Sequence, residues 1–287
     1  MKRWVGTLQV LAAGAGFGFL GIFGRWAFAE GLSIGELLFW RFVFAAFILW
    51  TVAILFKPNL IALKPSQIFT SSLLGLFGYA VFSNLYFESI KGVSVALAAM
   101  LLFTFPIFVS LGAHFVLRDR MSRLQWISLF GACLGLAILL WGDIVVHSTN
   151  AVLAGLGAAL TYSIYVLVSG RVQKNVKPLS SSLYVITAAA MGQYLYHQPQ
   201  LSKILHFSLH QYLLIIGIAV IGSIGPMTLF LAGLQKMKSS QASILVMIEP
   251  VVASIAAWLL LDENLSPRQI LGALIVLISI FLNSVKK

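Results

Sequence analysis

Long apolar runs alternate with short polar breaks along the whole chain. A helix that crosses a bilayer takes about 20 predominantly apolar residues. The pattern predicts ten such spans, at 5–28, 34–56, 67–88, 93–116, 124–141, 151–170, 180–196, 211–234, 239–261 and 267–284. The seventh is short, and Ser180, Ser181, Ser182, Gln193 and His197 dilute it. The longest break runs from His197 to His210 and includes Pro199, Lys203 and His206, which reads as an outer loop lying along the membrane interface.

Composition explains why the exterior cannot be wet. Hydrophobic residues make up 60% of the 287 and charged residues 9%, with a mean hydropathy of +0.98. Soluble domains carry roughly 25% charged residues. The net charge of +11 comes from Lys and Arg scattered in twos and threes between the apolar runs. They form no basic stripe with interleaved aromatics, so no nucleic-acid partner is expected. Cys133 is the single cysteine and lies inside an apolar run, which points to packing and not to a disulfide. No cleavable signal is read at the N-terminus, and the first run is taken as a retained helix.

The basic residues also orient the chain. With the N-terminus inside, the inner connections hold Lys2, Arg3, Lys57, Lys64, Arg118, Arg120, Arg123, Arg171, Lys174, Lys177, Lys236, Lys238, Lys286 and Lys287, which is 14. The outer connections hold Arg25, Lys91, Lys203 and Arg268, which is 4. Short cytoplasmic loops attract such an excess, so both termini are expected in the cytoplasm. Without the seventh span the last four basic residues of the inner set would fall outside, so the bias supports ten.

The two halves repeat each other at an offset of 144 residues. Pro106 falls on Pro250, Leu117-Arg118-Asp119 on Leu261-Asp262-Glu263, Ser122 on Ser266 and Gln125 on Gln269. Val95–Ala99 falls on Ser239–Ser243, and residues 13–18 roughly parallel 158–163. Five spans per half is an odd number, so the second half runs upside down relative to the first. Inverted repeats of this kind build secondary transporters, with the substrate site near the midplane between the halves.

Several segments together resemble the drug/metabolite transporter superfamily, in its EamA-like ten-helix branch. They are Trp40-Arg41-Phe42, the Ala-rich stretch leading to Pro106, Glu249-Pro250-Val251-Val252-Ala253, Leu261-Asp262-Glu263 and Gly272-Ala273. The resemblance implies an all-α integral membrane protein of ten helices, with a first five-helix repeat over 1–143 and a second, inverted one over 150–287. It also implies a carrier of amino acids or related metabolites in the bacterial inner membrane, often an exporter. The chain departs from the family pattern where a Gly-Glu pair is usual: Arg118 precedes Asp119, and Asp262 precedes Glu263.

Glu249 is the one acid placed deep in a span. At 1.5 Å per residue it lies about 15 Å from the end of span 9. A carboxylate there must be protonated, paired or facing water, which suits a proton-coupling or substrate-amine site; a structural role beside Pro250 is the alternative. Pro106 and Pro250 are expected to kink their helices and free the carbonyls of Leu102 and Val246. Arg41 could snorkel, bind a substrate carboxylate, or pair with Glu36 or Glu249, and a structural or gating role is favoured. Trp26, Trp40, Tyr79, Tyr162 and Tyr165 are candidate cavity aromatics, the last two on one helix face. Glu88, Lys91, Asn84, Tyr86 and Ser83 suggest an outer vestibule, and His114 an interfacial packing residue. Gly14 and Gly18 carry small-xxx-small spacing, which suits close helix packing.

No Walker A loop, metal-ligand spacing or nucleophile elbow is found in the sequence. No cofactor and no metal are therefore expected, and a gradient must drive movement. Partners are a small-molecule substrate, the lipid bilayer and, at Glu249, protons. A membrane-embedded enzyme acting on lipid and a passive small-solute channel remain as alternatives. The enzyme would need several convergent acids or histidines, and the channel does not require an inverted repeat.

Overall fold

Each predicted span is helical in the structure, a computed structural model that describes residues 2–142 and 144–285, the side chains of Lys2 and Arg3 excepted. Basic groups counted toward orientation at Lys2, Arg3, Lys286 and Lys287 lie outside the described residues, as do the outermost residues of the two repeats. In chain order the helices are α1 (Lys2–Gly18 running on through Leu20–Ala29), α2 (Ile34–Leu55), α3 (Pro65–Gly92), α4 (Val95–Val116) and α5 (Arg123–Leu139). The second half holds α6 (Thr149–Val172), α7 (Pro178–His197), α8 (Leu209–Leu234), α9 (Ser239–Leu260) and α10 (Pro267–Ser284). Among the described residues there is no strand, only an isolated bridge between Val93 and Val146.

Eight of these helices are long and apolar enough to cross a membrane. The other two are α5, which is apolar but has 17 residues, and α7. The polar character of α7 has a structural reason. Ser180, Ser181, Ser182 and Gln193 are all buried. Ser181 Oγ donates to Gln173 Oε1 at 2.6 Å, Thr228 Oγ1 to Ser182 Oγ at 3.0 Å, and Trp50 Nε1 to Thr187 Oγ1 at 3.0 Å. α7 thus shows its polar residues to neighbouring helices. The outside of the bundle is the reverse, with Phe47, Ile54, Phe69, Phe77, Phe130 and Leu205 exposed. An apolar surface, with the polar side chains turned inward among a largely apolar core, suits a bilayer solvent.

The inverted repeat is visible in the packing. α3 packs on α6 as α8 packs on α1, α7 on α3 as α2 on α8, and α4 on α6 as α9 on α1. α2 meets its own equivalent α7, and α5 meets α10. The offset of 144 also has local consequences. Ser122 and Gln125 form a capping box at the start of α5, and Ser266 and Gln269 form the same box at α10. Arg118 and Asp262 occupy equivalent left-handed positions, at φ 54° and 53°, which is the conformation that favours glycine. The glycine of the family pattern therefore has a conformational reason, and this chain bears the strain of two non-glycine residues there.

The α5–α10 contact is close enough to exclude side chains. A Cβ on Gly272 would lie 2.7 Å from the Gly135 carbonyl oxygen and collide with the Leu139 backbone nitrogen, and one on Gly135 would lie 2.8 Å from the Val276 nitrogen. Gly272→Val should lower stability by about 1–3 kcal/mol, read as the midpoint of thermal unfolding in mild detergent. Gly21→Ala, where nothing lies within 4 Å, should leave that midpoint unchanged. Arg118→Gly should raise stability by about 1 kcal/mol by relieving the left-handed position.

Candidate functional site

The site begins where helices break. A proline inside a helix lacks the N–H that its turn requires and its ring crowds the preceding turn. α9 accordingly runs as Ser239–Leu245, a tight turn at Val246–Ile248, and a second helical segment Glu249–Leu260 with Pro250 in its first turn. Glu249 opens that second segment, where unpaired N–H groups favour a negative charge. Contrary to the sequence expectation, the Val246 carbonyl is not released, because it accepts the N–H of Glu249. α4 breaks at the equivalent place. Its helix stops at Leu102 and restarts at Phe105 with Pro106 in the first turn. Thr104 Oγ1 donates to the Leu101 carbonyl at 2.6 Å, and Ile107 N–H to the Thr104 carbonyl at 2.9 Å.

α1 lies directly against the break in α9. A Cβ on Gly18 would stand 2.8 Å from the Glu249 carbonyl oxygen, and one on Gly14 would stand 2.6 Å from Ile248 Cγ2. The small-residue face of α1 is therefore a bed for the irregular turn that carries Glu249. A second irregularity lies in α3, which widens into a π-helical stretch at Leu74–Ala80 containing Tyr79. The offset of 144 carries this stretch onto 218–224, and α8 is π-helical at Val220–Ile224. Such widened turns often mark functional sites.

Tyr79, Tyr162 and Tyr165 come together as the sequence suggests. Tyr162 and Tyr165 stack at 5.9 Å with 10° between their planes, and Tyr79 meets Tyr165 edge-on at 5.7 Å. Phe42, Phe82 and Phe105 complete the cluster, with Phe82 at 4.6 Å and Phe105 at 4.7 Å from Tyr162. Each such pair adds about 0.5–1.5 kcal/mol beyond burial, so the wall is rigid. Sequence reasoning missed Phe82 and Phe105. The available signals were the three-residue step from Tyr79 to Phe82, which puts both on one face, and the placement of Phe105 beside Pro106.

The two charged candidates both lie near this cluster. Arg41 is buried, with its guanidinium 4.4 Å from the Phe42 ring centroid. Glu249 is half-buried despite its depth, and Tyr79, Tyr86 and Tyr162 all lie near enough to feel its charge. Tyr79 lies near enough to feel both Glu249 and Arg41. Among the described residues neither side chain forms an ion pair or hydrogen bond, and Arg41 Nε is buried without an acceptor. Glu36, an expected partner of Arg41, is instead held by Lys203 at 2.6 Å and by its own capping box with Ser33. Tyr86 belongs with Glu249, whereas Asn84 bonds His197 at 3.0 Å and Glu88 bonds Lys91 at 2.6 Å and Tyr196 at 2.9 Å.

Trp40 lies elsewhere. It sits in a separate cluster with Phe39, Phe44 and Phe207, the last at 5.9 Å from the loop before α8. Trp26 meets Phe23 edge-on at the end of α1. His114 packs against Phe115 and Trp126. Among the described residues, no group of three metal-ligating side chains is found.

Two reciprocally packed helical repeats, each with a helix broken at an equivalent proline, make up a polytopic membrane protein. The EamA-like transporter family matches the sequence twice, over residues 4–141 and 149–285. The chain belongs to that family. It is 25% identical over 279 residues to the "Uncharacterized transporter YcbK" of Bacillus subtilis (strain 168), covering 93% of this chain and 88% of that one. An "Uncharacterized transporter" of Archaeoglobus fulgidus is 25% identical over 214 residues, covering 72% of this chain and 75% of the other. A protein of known crystal structure shares the fold with a TM-score of 0.81 at 14% identity, over 98% of this chain and 96% of its own.

The geometry separates two aromatics that the sequence treats alike. Tyr162→Ala removes a ring that touches Tyr165, Phe82 and Phe105, and should reduce transport about tenfold. Trp40→Phe should leave transport within about twofold, because its ring contacts lie in the other cluster and Phe retains them. Initial rates in reconstituted vesicles distinguish the two.

Proposed function

We propose that the protein is a secondary carrier that exports small metabolites such as amino acids across the plasma membrane by alternating access. One observation carries this reading. A buried arginine from the first repeat and a deep carboxylate from the second both lie near Tyr79 in the aromatic cluster, and neither has an ion-pair partner among the described residues. Unpaired charges inside a membrane protein are costly and are kept for a ligand or an ion. A zwitterion supplies both missing partners, its carboxylate to Arg41 and its ammonium to Glu249. The aromatic rings near both would hold an apolar side chain.

Glu249 also serves as the proton-coupling group in this reading. Protonation and substrate binding compete for one carboxylate, so protons moving inward drive substrate outward. The repeats, over 1–143 and 150–287, exchange their reciprocal contacts to open the site to one side and then the other. The Gly14–Gly18 face lets α1 slide along the Glu249 turn. Both termini face the cytoplasm.

Counterflow of a labelled amino-acid panel in liposomes, with and without a pH gradient, tests the carrier and its coupling. Wild type should show saturable exchange that a gradient acidic on the outer side accelerates. Glu249→Gln should lose the acceleration and keep gradient-independent exchange. Equal gradient responses by both proteins would remove Glu249 from coupling, and no exchange of any amino acid would overturn the substrate class. Orientation is tested in a Cys133→Ala background. Gln200→Cys should react with an impermeant maleimide on intact cells, and Asn175→Cys only after permeabilisation.

A further inference from the structure

We propose that contacts between the two repeats form a clasp at one end of the bundle, and that the repeats part there in each transport cycle. The inference rests on the carrier reading above, in whose orientation this is the outer end.

The clasp is built on four glutamates. Glu30, Glu36 and Glu88 belong to the first repeat and Glu263 to the second, and each meets a side chain of the opposite repeat. Arg25, near the end of α1, pairs with Glu263 in the connection after α9. Lys203, in the loop before α8, pairs with Glu36 at 2.6 Å. His210 Nδ1 lies 3.5 Å from Glu30 Oε1, and Gln211 Nε2 donates to the Glu30 carbonyl at 2.8 Å. Tyr196, near the end of α7, donates to Glu88 at 2.9 Å, and Lys91 donates to the same carboxylate at 2.6 Å. The next residue of α7, His197, bonds Asn84 of α3 at 3.0 Å. At the opposite end a single ion pair joins the repeats among the described residues, Lys238 with Asp119.

The helices that carry the clasp also carry the site. α2 holds both Glu36 and Arg41, about 7.5 Å apart along the axis. α3 holds both Glu88 and Tyr79, about 14 Å apart. α1 lays Gly18 against the Glu249 turn and sets Arg25 against Glu263, so it meets the α9 segment at two places. Parting the repeats at the clasp therefore moves the helices that bear Arg41, Tyr79 and Glu249. The chemistry suits repeated opening. Arg25, Lys203 and His210 are each more than half exposed, and exposed ion pairs are individually weak. Water replaces such partners readily, whereas fully buried pairs would resist separation. Several weak contacts together give a closed state that is specific without being permanent.

Arg25→Cys with Glu263→Cys, in the Cys133→Ala background, can be joined by a short flexible bis-thiosulfonate linker and released with reductant. Joining should slow counterflow in reconstituted vesicles at least about tenfold, and reductant should restore it. A second readout needs no substrate. Spin labels at Gly142→Cys and Gln200→Cys, one on each repeat and both exposed, report the separation of the repeats by double electron–electron resonance. Glu36→Gln with Glu263→Gln should raise the share of a longer distance at least about threefold over that with the clasp intact. Counterflow that the linker leaves unchanged, or a distance distribution that the double variant leaves unchanged, would overturn the clasp. A response of the distances without exchange of any amino acid would retain the clasp and remove the substrate class alone.

Discussion

Hydrocarbon offers no hydrogen bonds, and that one constraint organises this molecule. Every backbone N–H and C=O within the bilayer must find its partner inside the chain. Regular helices meet the demand by themselves, and the π-helical stretches, which also reach the surface at Phe77 and Ile221, keep their hydrogen bonds within the helix. Irregular backbone is tolerated where the protein surrounds it. The turns before Pro106 and Pro250 lie inside the bundle, closed by Thr104 and by the N–H of Glu249. The widened turns of α3 and α8 occupy matching positions in the two halves. Glu249 and Tyr79 lie at such irregular turns, whereas Arg41, Tyr162 and Tyr165 come from unbroken helices.

Duplication then does mechanical work. Three helix contacts recur with the roles of the halves exchanged, and α2–α7 and α5–α10 are each equivalent pairs. The α5–α10 contact, glycine against backbone, has no room to slide. The α1–α9 contact is equally close but lies along the irregular turn that carries Glu249.

The chemistry of the site is one of unmet demand. Arg41 and Glu249, from opposite repeats, both lie near Tyr79, and neither has an ion-pair partner among the described residues. A bundle selected for stability alone would pair such charges or replace them with apolar residues.

The chain's hydrophobic pattern determined the helices by itself, because in lipid the only requirement on a span is twenty or so apolar residues with internal hydrogen bonds. Predicted ends agree with the helices to within a few residues, even for α7, whose serines lower its hydropathy for reasons that lie in its neighbours. The duplicated Ser-x-x-Gln already contained two capping boxes, since a cap is a local bond. Glu249, Arg41, Tyr79, Tyr162 and Tyr165 were legible from depth and residue type. Tertiary structure alone decided that these five converge and that Trp40 joins another cluster. Trp40 and Arg41 are chain neighbours, and on a helix consecutive side chains diverge by about 100°, so adjacency in sequence became separation in space. The breaks were legible from Pro106 and Pro250, whereas the π-helical turns had no signature in the sequence. Those turns depend on which helix lies opposite, and that is settled only when the two repeats pack.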